Sequence, residues 1–300
     1  MEHFFYMNDT LIISGPPRSG TTLFYNLFDA HPQVNSLLTE GFFFEHIYDL
    51  GRENIGIYLD AFKMPLDDIL AGMRDRDIMP PTHKPLVEDR NLNIPWNEKV
   101  YRKEIDTIVP ISIERLWSGL VGAHLSALGL QDKKYICMKA PDYGKSAIAA
   151  LEHIERAKAI IIVRHPLKAF DSLKKIRLKL KHKILTWPSF ATIVKEMNEM
   201  PSRISKSDPE RLRWIRYEDV VSDVKGTMGD IAAWLGISFK NTLVRPTLFG
   251  KTWNGYSSYK INRGISTAPL NRSINCLTSA ETKYILQHVS TYSDFFSYSE

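Results

Sequence analysis

The chain has 300 residues, 44% hydrophobic and 24% charged, so it can bury a sizeable core and reads as a globular protein rather than a disordered or fibrous one. Its 39 basic and 34 acidic residues leave a net charge of +5, which suits an anionic ligand but is not the clustered basic excess of a nucleic-acid binder. Two cysteines, Cys137 and Cys276, exclude a disulfide framework and a cysteine metal cluster, and no run of about 18 apolar residues offers a membrane span.

The first strand is expected at Leu11-Ile12-Ile13, too near Met1 for the basic and apolar regions of a secretory leader, and the expected setting is cytoplasmic. The apolar run stops at Gly15. Gly15 to Gly20 then lead into Leu23, Phe24, Leu27 and Phe28, spaced as on a helix ending near Pro32. A strand, a glycine-bounded turn and a helix aim backbone N–H groups at an anion. The spacing nearly matches the ATP-binding loop G-x-x-x-x-G-K-[ST], but Thr21 stands where the lysine for the β- and γ-phosphates belongs. The basic residue, Arg18, lies three places earlier. Such a loop is expected to hold a shorter phosphate group, with Arg18 facing what is attached to it.

The stretch Pro17-Arg18-Ser19-Gly20-Thr21-Thr22 resembles the 5′-phosphosulfate loop of sulfotransferases that use 3′-phosphoadenosine-5′-phosphosulfate (PAPS) as sulfuryl donor. The resemblance lies closer to the carbohydrate, protein-tyrosine and bacterial sulfotransferases than to nucleoside-triphosphate kinases. It implies an α/β, three-layer P-loop-type fold with a central parallel β-sheet flanked by helices. It also implies one domain over residues 1–300, with an acceptor-side insertion at about 45–130 and a carboxyl-terminal, cofactor-covering loop at about 247–275.

Val34 to Leu38 reads as the second strand, followed by Thr39-Glu40-Gly41. A parallel strand here puts Glu40 on the carboxyl edge where open α/β sheets bind ligands. An acid at this point resembles the family's general base; the alternative is a cap for the helix beginning at Phe42-Phe43-Phe44. Asp67–Met73 and Ile113–Leu128 have helical patterns, while the proline-rich stretch from Ile78 to Trp96 reads as irregular. His83, Lys84 and Trp96 there are either acceptor contacts or ordinary surface residues.

Strand character resumes at Lys134–Met138 and places Lys139 at a strand end. It is either a solvated lysine before a turn or, by resemblance, a lysine set against the transferring sulfuryl group. The branched run Ala159–Val163 suits a central strand buried on both faces. Arg164 follows it, Pro166 opens a helix, and Ser172 lies about two helical turns on. This arrangement resembles the family's 3′-phosphate motif, a guanidinium fork joined by a hydroxyl donor; the alternative is a generic strand–helix junction. Lys174 to Lys183 is either a solvated helix face or a lure for anions.

Arg211–Arg216 reads as a fifth strand, with Tyr217-Glu218-Asp219 capping one helix that runs to Gly236. The tail from Lys251 to Ser258 resembles the family loop that closes over the nucleotide and makes Ser257, Ser258 and Arg263 further cofactor contacts, although Tyr256 stands where the family has asparagine. Thr278–His288 reads as the last helix.

The chemistry implied is in-line sulfuryl transfer, similar in its demands to phosphoryl transfer. Backbone donors of Arg18 to Thr22 would hold the 5′-phosphate; Arg164 and Ser172, with Arg263, would hold the 3′-phosphate. Arg18 and Lys139 would stabilise charge on the sulfuryl oxygens, and Glu40 would take the acceptor's proton. The products are a sulfated small molecule, carbohydrate or lipid and adenosine 3′,5′-bisphosphate (PAP); no metal is required. Two rivals stand beside this reading: a nucleotide-dependent kinase or NTPase on the same fold, and a non-catalytic PAP-binding module.

Overall fold

The structure is a computed structural model that describes residues 8–40, 43–51, 84–85, 96–109, 111–179, 185–253 and 264–298. The strands are β1 (Asp9–Ser14), β2 (Val34–Glu40), β3 (Lys84–Pro85), β4 (Tyr135–Ala140), β5 (Ala157–Val163), β6 (Leu212–Arg216), β7 (Thr247–Leu248) and β8 (Lys251–Thr252). The helices are α1 (Thr21–Asn26), α2 (Phe43–Leu50), α3 (Glu98–Ile105), α4 (Ile113–Leu128), α5 (Lys145–His153), α6 (Pro166–Lys179), α7 (Trp187–Ile204), α8 (Tyr217–Ser222), α9 (Val224–Leu235), α10 (Ser279–His288) and α11 (Ser290–Phe295).

The main sheet has the order β3-β2-β4-β1-β5-β6. Five of its six strands, β2, β4, β1, β5 and β6, are parallel and flanked by helices, the α/β architecture the phosphate-loop motif implied. Every residue of β4 is buried, as is nearly all of β1 and β5, so these strands read as apolar runs instead of alternating.

Four local readings change. β4 continues through Ala140, so Lys139 lies inside the strand. In the proline-rich stretch, Lys84–Pro85 adds an antiparallel edge strand against β2, and an edge is where a sheet tolerates proline. The single helix expected after Tyr217 is two, because Asp223 leaves helical geometry and its side chain caps the second by accepting from the N–H of Gly226. A further short helix, α11, also follows α10. The helix pattern at Asp67–Met73 lies outside the described residues.

The chain forms two compact units. The first takes its described residues from Met1–Ile12, Pro32–Ala140 and Lys145–Ala159. Here Phe43 stacks on Trp117 with ring centres 5.7 Å apart and Phe44 meets the same indole at 4.8 Å, joining α2 to α4. Ser112 caps the start of α4 and Gly129, left-handed at φ 63°, ends it. Trp96 packs against Tyr101 and His124 and donates to Glu98 at 2.8 Å, which makes it part of this unit's packing.

The second unit comprises Ile13–His31, Pro141–Gly144 and the described residues from Ile160 to the carboxyl terminus. Its core includes Phe170, Phe190, Met200, Met228, Tyr292 and Phe296. Thr278 and Glu281 form a reciprocal capping box at the start of α10. Asp29 accepts from Thr247 and from the N–H of Gly250, both at 2.8 Å, and so fastens the β7–β8 hairpin to the segment after α1.

Candidate functional site

The turn after β1 is built by close backbone approach. A Cβ on Gly15 would stand 2.1 Å from the carbonyl oxygen of Ile162, so the loop can lie against β5 only as glycine. Gly20, at φ 94°, starts α1 with no side-chain cap, and a Cβ there would stand 2.4 Å from the ring of Tyr217. The first helical hydrogen bond runs from Phe24 N–H to the Gly20 carbonyl, and the N–H groups ahead of a helix's first bond have no partner within it.

Arg18 itself adopts a left-handed conformation, φ 70°, which costs a residue with a Cβ about 1–2 kcal/mol. Arg164 Nη1 donates to the Arg18 carbonyl at 3.0 Å and holds it there. From the other side, Asp142 accepts from Ser14 Oγ at 2.6 Å, Ser14 Oγ accepts from Gly144 N–H at 3.1 Å, and Tyr143 N–H donates to the Gly15 carbonyl at 3.2 Å. The Pro141–Gly144 turn is thus a brace for the loop. Sequence reasoning passed over it, although a Pro-Asp-Tyr-Gly turn directly after a strand end was a signal of one.

The Arg164 guanidinium lies over the Tyr217 ring at 4.5 Å, and Arg18 Nε donates to Ser172 Oγ at 3.2 Å. Arg18, Arg164 and Ser172 are therefore one hydrogen-bonded group within the second unit. The side chain expected to face the sulfuryl group reaches the serine expected to face the 3′-phosphate. Burial pushes the Tyr217 phenol pKa up, against the pull of Arg164, Arg272 and Arg18, so the phenol stays neutral beneath the guanidinium.

Two buried donors at this site have no hydrogen-bond partner among the described residues: Ser19 Oγ and Arg164 Nε. A buried polar atom left in that state is costly, and phosphate oxygens are the acceptors that would satisfy both. The residues present thus fit a nucleotide carrying phosphates. Pro17 is half-buried on the loop, Thr21 is buried, and Thr22 is half-buried in the first turn of α1.

The remaining positions belong to the first unit or lie outside the described residues. Lys139 is 2% exposed inside β4, which removes the solvated-lysine alternative. Glu40 is the last residue of β2, and the ladders pair it with Lys139 on one side and Lys84 on the other. Ser257, Ser258, Arg263 and His83 lie outside the described residues, as does the end of the basic run. Within that run Lys174 is ion-paired with Glu281 at 2.7 Å.

Glu218 is more than a helix cap. Its Oε1 accepts from the N–H of His165 at 3.1 Å and its Oε2 from the Tyr298 hydroxyl at 2.8 Å. Asp171, buried on α6, accepts from the N–H groups of Asn275 and Cys276 and fixes that tail segment. Among the described residues no group of three His, Cys, Asp or Glu side chains is placed to hold a metal, and no helix is long and apolar enough to cross a membrane.

A sequence model of the sulfotransferase family matches residues 10–241. No curated protein matches the chain. Among solved structures, the sulfotransferase domain from the curacin biosynthetic pathway superposes with a TM-score of 0.52 at 15% identity, over 95% of this chain and 98% of its own. The sulfotransferase domain from the Synechococcus PCC 7002 olefin synthase does so with a TM-score of 0.52 at 16% identity, over 100% of this chain and 98% of its own. At these identities the superpositions speak for the shared fold.

Proposed function

The chain belongs to the sulfotransferase family, and from that premise we propose that it moves the sulfuryl group of PAPS to a hydroxyl or amine of a small-molecule, carbohydrate or lipid acceptor and releases PAP. The observation that carries the donor assignment is the hydrogen-bonded group of Arg18, Arg164 and Ser172 with Ser19 on the same loop, where two buried polar atoms have no acceptor, beside a loop that lacks the ATP-binding lysine. A cytoplasmic setting belongs to the same reading.

When bound, PAPS supplies an activated sulfuryl group on a phosphosulfate anhydride. The backbone donors of the Arg18 to Thr22 stretch hold the 5′-phosphate, as glycine-bounded loops hold anions, apart from the Ser19 N–H, which donates to the Pro16 carbonyl at 3.2 Å. Arg164 offers its fork of donors to the 3′-phosphate; Ser172, whose oxygen accepts from Arg18, still has its own O–H to donate. Arg18 and the buried Lys139 supply positive charge for the sulfuryl oxygens. Glu40 takes the proton from the acceptor hydroxyl or amine. Ser257, Ser258 and Arg263 complete the cofactor contacts in this reading.

The test is binding followed by transfer. Calorimetry with PAP and ATP should give tighter PAP binding, and labelled sulfate from PAPS should appear on at least one member of a panel of phenols, sugars, lipids and hydroxylated small molecules. Tighter ATP than PAP binding would move the chain to the kinases and NTPases. PAP binding with no transfer to any acceptor class would leave a binding module.

A further inference from the structure

We infer that Tyr292, near the carboxyl terminus, is a positioning residue that aims Arg164 at the 3′-phosphate; this rests on the PAPS reading above. Arg164 and His165 stand between the last residue of β5, Val163, and the first of α6, Pro166. Their peptide groups have left one regular hydrogen-bond pattern before the next begins, and such groups need other partners when buried. The path of this two-residue turn decides where the guanidinium goes.

The carboxyl-terminal segment supplies those partners. The Tyr292 hydroxyl accepts from the Arg164 N–H at 3.1 Å and donates to the Arg164 carbonyl at 3.0 Å, so one phenol satisfies both backbone groups of one residue. The next N–H, that of His165, donates to Glu218, whose other oxygen accepts from Tyr298. Tyr292 therefore grips the peptide groups on both sides of Arg164, and Tyr298 holds the second of them again through the Glu218 carboxylate.

Tyr292 is itself fixed in place. Its ring is fully buried, meets Phe296 edge-on at 4.8 Å and lies parallel to Tyr298 at 6.0 Å. Its N–H donates to Asn198 on α7 at 3.2 Å. Burial raises the phenol's pKa, so the proton given to the Arg164 carbonyl is retained across the working range of pH. The arrangement has the parts of a clamp: a rigid anchor, a two-point grip, and a ligand-facing side chain on the gripped residue.

The experiment compares affinity for PAP with affinity for adenosine 5′-monophosphate, which lacks the 3′-phosphate. Tyr292→Phe keeps the ring and removes the grip; PAP binding should weaken about tenfold while adenosine monophosphate binding and kcat at saturating PAPS stay within about twofold, a loss in line with one or two buried hydrogen bonds. Tyr298→Phe, a milder change for use if Tyr292→Phe does not fold, should shift the same ratio about threefold. Phe44→Leu, a core change in the first unit and outside this segment, should lower Tm and leave the ratio unchanged. The inference is overturned if Tyr292→Phe, or failing it Tyr298→Phe, leaves the ratio unchanged, or if Phe44→Leu shifts it as much. Arg164→Ala separates the two levels: it should abolish the preference for PAP, and if it does not, the 3′-phosphate reading falls and this inference with it.

Discussion

The guanidinium of Arg164 lies 4.5 Å from the ring centre of Tyr217, and the edge of that same ring closes the space above Gly20. One aromatic side chain thus sets the position of the candidate 3′-phosphate arginine and the start of the phosphate loop's helix. Stacking on a buried ring stabilises a guanidinium by about 1–2 kcal/mol, so Tyr217→Leu should weaken PAP binding about 5- to 30-fold. Tyr217→Phe keeps the ring face and should stay within about twofold. Calorimetric titration of PAP into the three proteins checks both. Equal losses in the two variants would assign the effect to the hydroxyl.

Two glycines should respond to alanine in opposite ways. At Gly15 the new Cβ would meet a main-chain oxygen at 2.1 Å, and the backbone of β5 cannot rotate aside as a side chain would. Gly15→Ala should therefore cost at least about 3 kcal/mol and disturb the loop as well. Gly229 lies inside α9, and a Cβ added there would meet nothing within 4 Å, so Gly229→Ala should stabilise the protein by about 0.5–1 kcal/mol. Urea unfolding with PAP titration checks the pair, and a Gly15→Ala protein of ordinary stability would contradict the close approach.

The parts legible in the sequence are those encoded locally. Ile113–Leu128 was readable at its observed bounds because an apolar stripe lies between a serine cap and a left-handed glycine. The run ending at Val163 was readable because a strand buried on both faces has no polar alternation to blur. Lys139 does stand next to the strand's carboxyl end, as expected, but its burial was not readable, because a charged residue after an apolar run looks like the solvated end of that run. The supports of the site were not readable at all: Tyr292 grips Arg164 across 128 positions, and Glu218 reaches His165 across 53. Neither contact leaves a periodic trace, and a tyrosine on a six-residue helix looks like any other core aromatic.

Acid should loosen the junction of α6 and α10. Burial pushes the Glu281 carboxyl pKa up, but hydrogen bonds from Lys174 and from the backbone and hydroxyl of Thr278 outweigh it and hold the pKa below its ordinary 4.5. A carboxylate with a depressed folded-state pKa contributes stability that is fully present above the unfolded value and is lost as pH falls through the folded one. Glu281→Gln should therefore lower Tm at pH 6, and the gap to the parent protein should close as pH drops below about 4.5. Thermal melts between pH 3 and pH 7 check this; a gap that stays constant with pH would mean that the carboxylate's charge contributes nothing.

Glu40 and Lys139 occupy paired positions on adjacent parallel strands, so the proposed base and one of the proposed sulfuryl-stabilising cations are neighbours in the β2–β4 ladder. The two are expected to fail differently when neutralised. Glu40→Gln removes the proton acceptor and should cut kcat at least about 100-fold while PAP affinity stays within about twofold. It should also abolish the fall of kcat toward acid pH, since no carboxylate remains to be protonated. Lys139→Met keeps the length and burial of the side chain and removes its charge. It should lower kcat about 10- to 1,000-fold while an acid limb remains, since the base is still present when only a charge-stabilising group is lost. The measurement is kcat against pH at saturating PAPS for the parent protein and both variants. A Glu40→Gln enzyme that transfers sulfate at the parent rate would remove Glu40 from the chemistry. Identical pH profiles in the two variants would mean that the pair acts through a shared structural effect instead of the separate proton-transfer and charge-stabilising roles proposed for them.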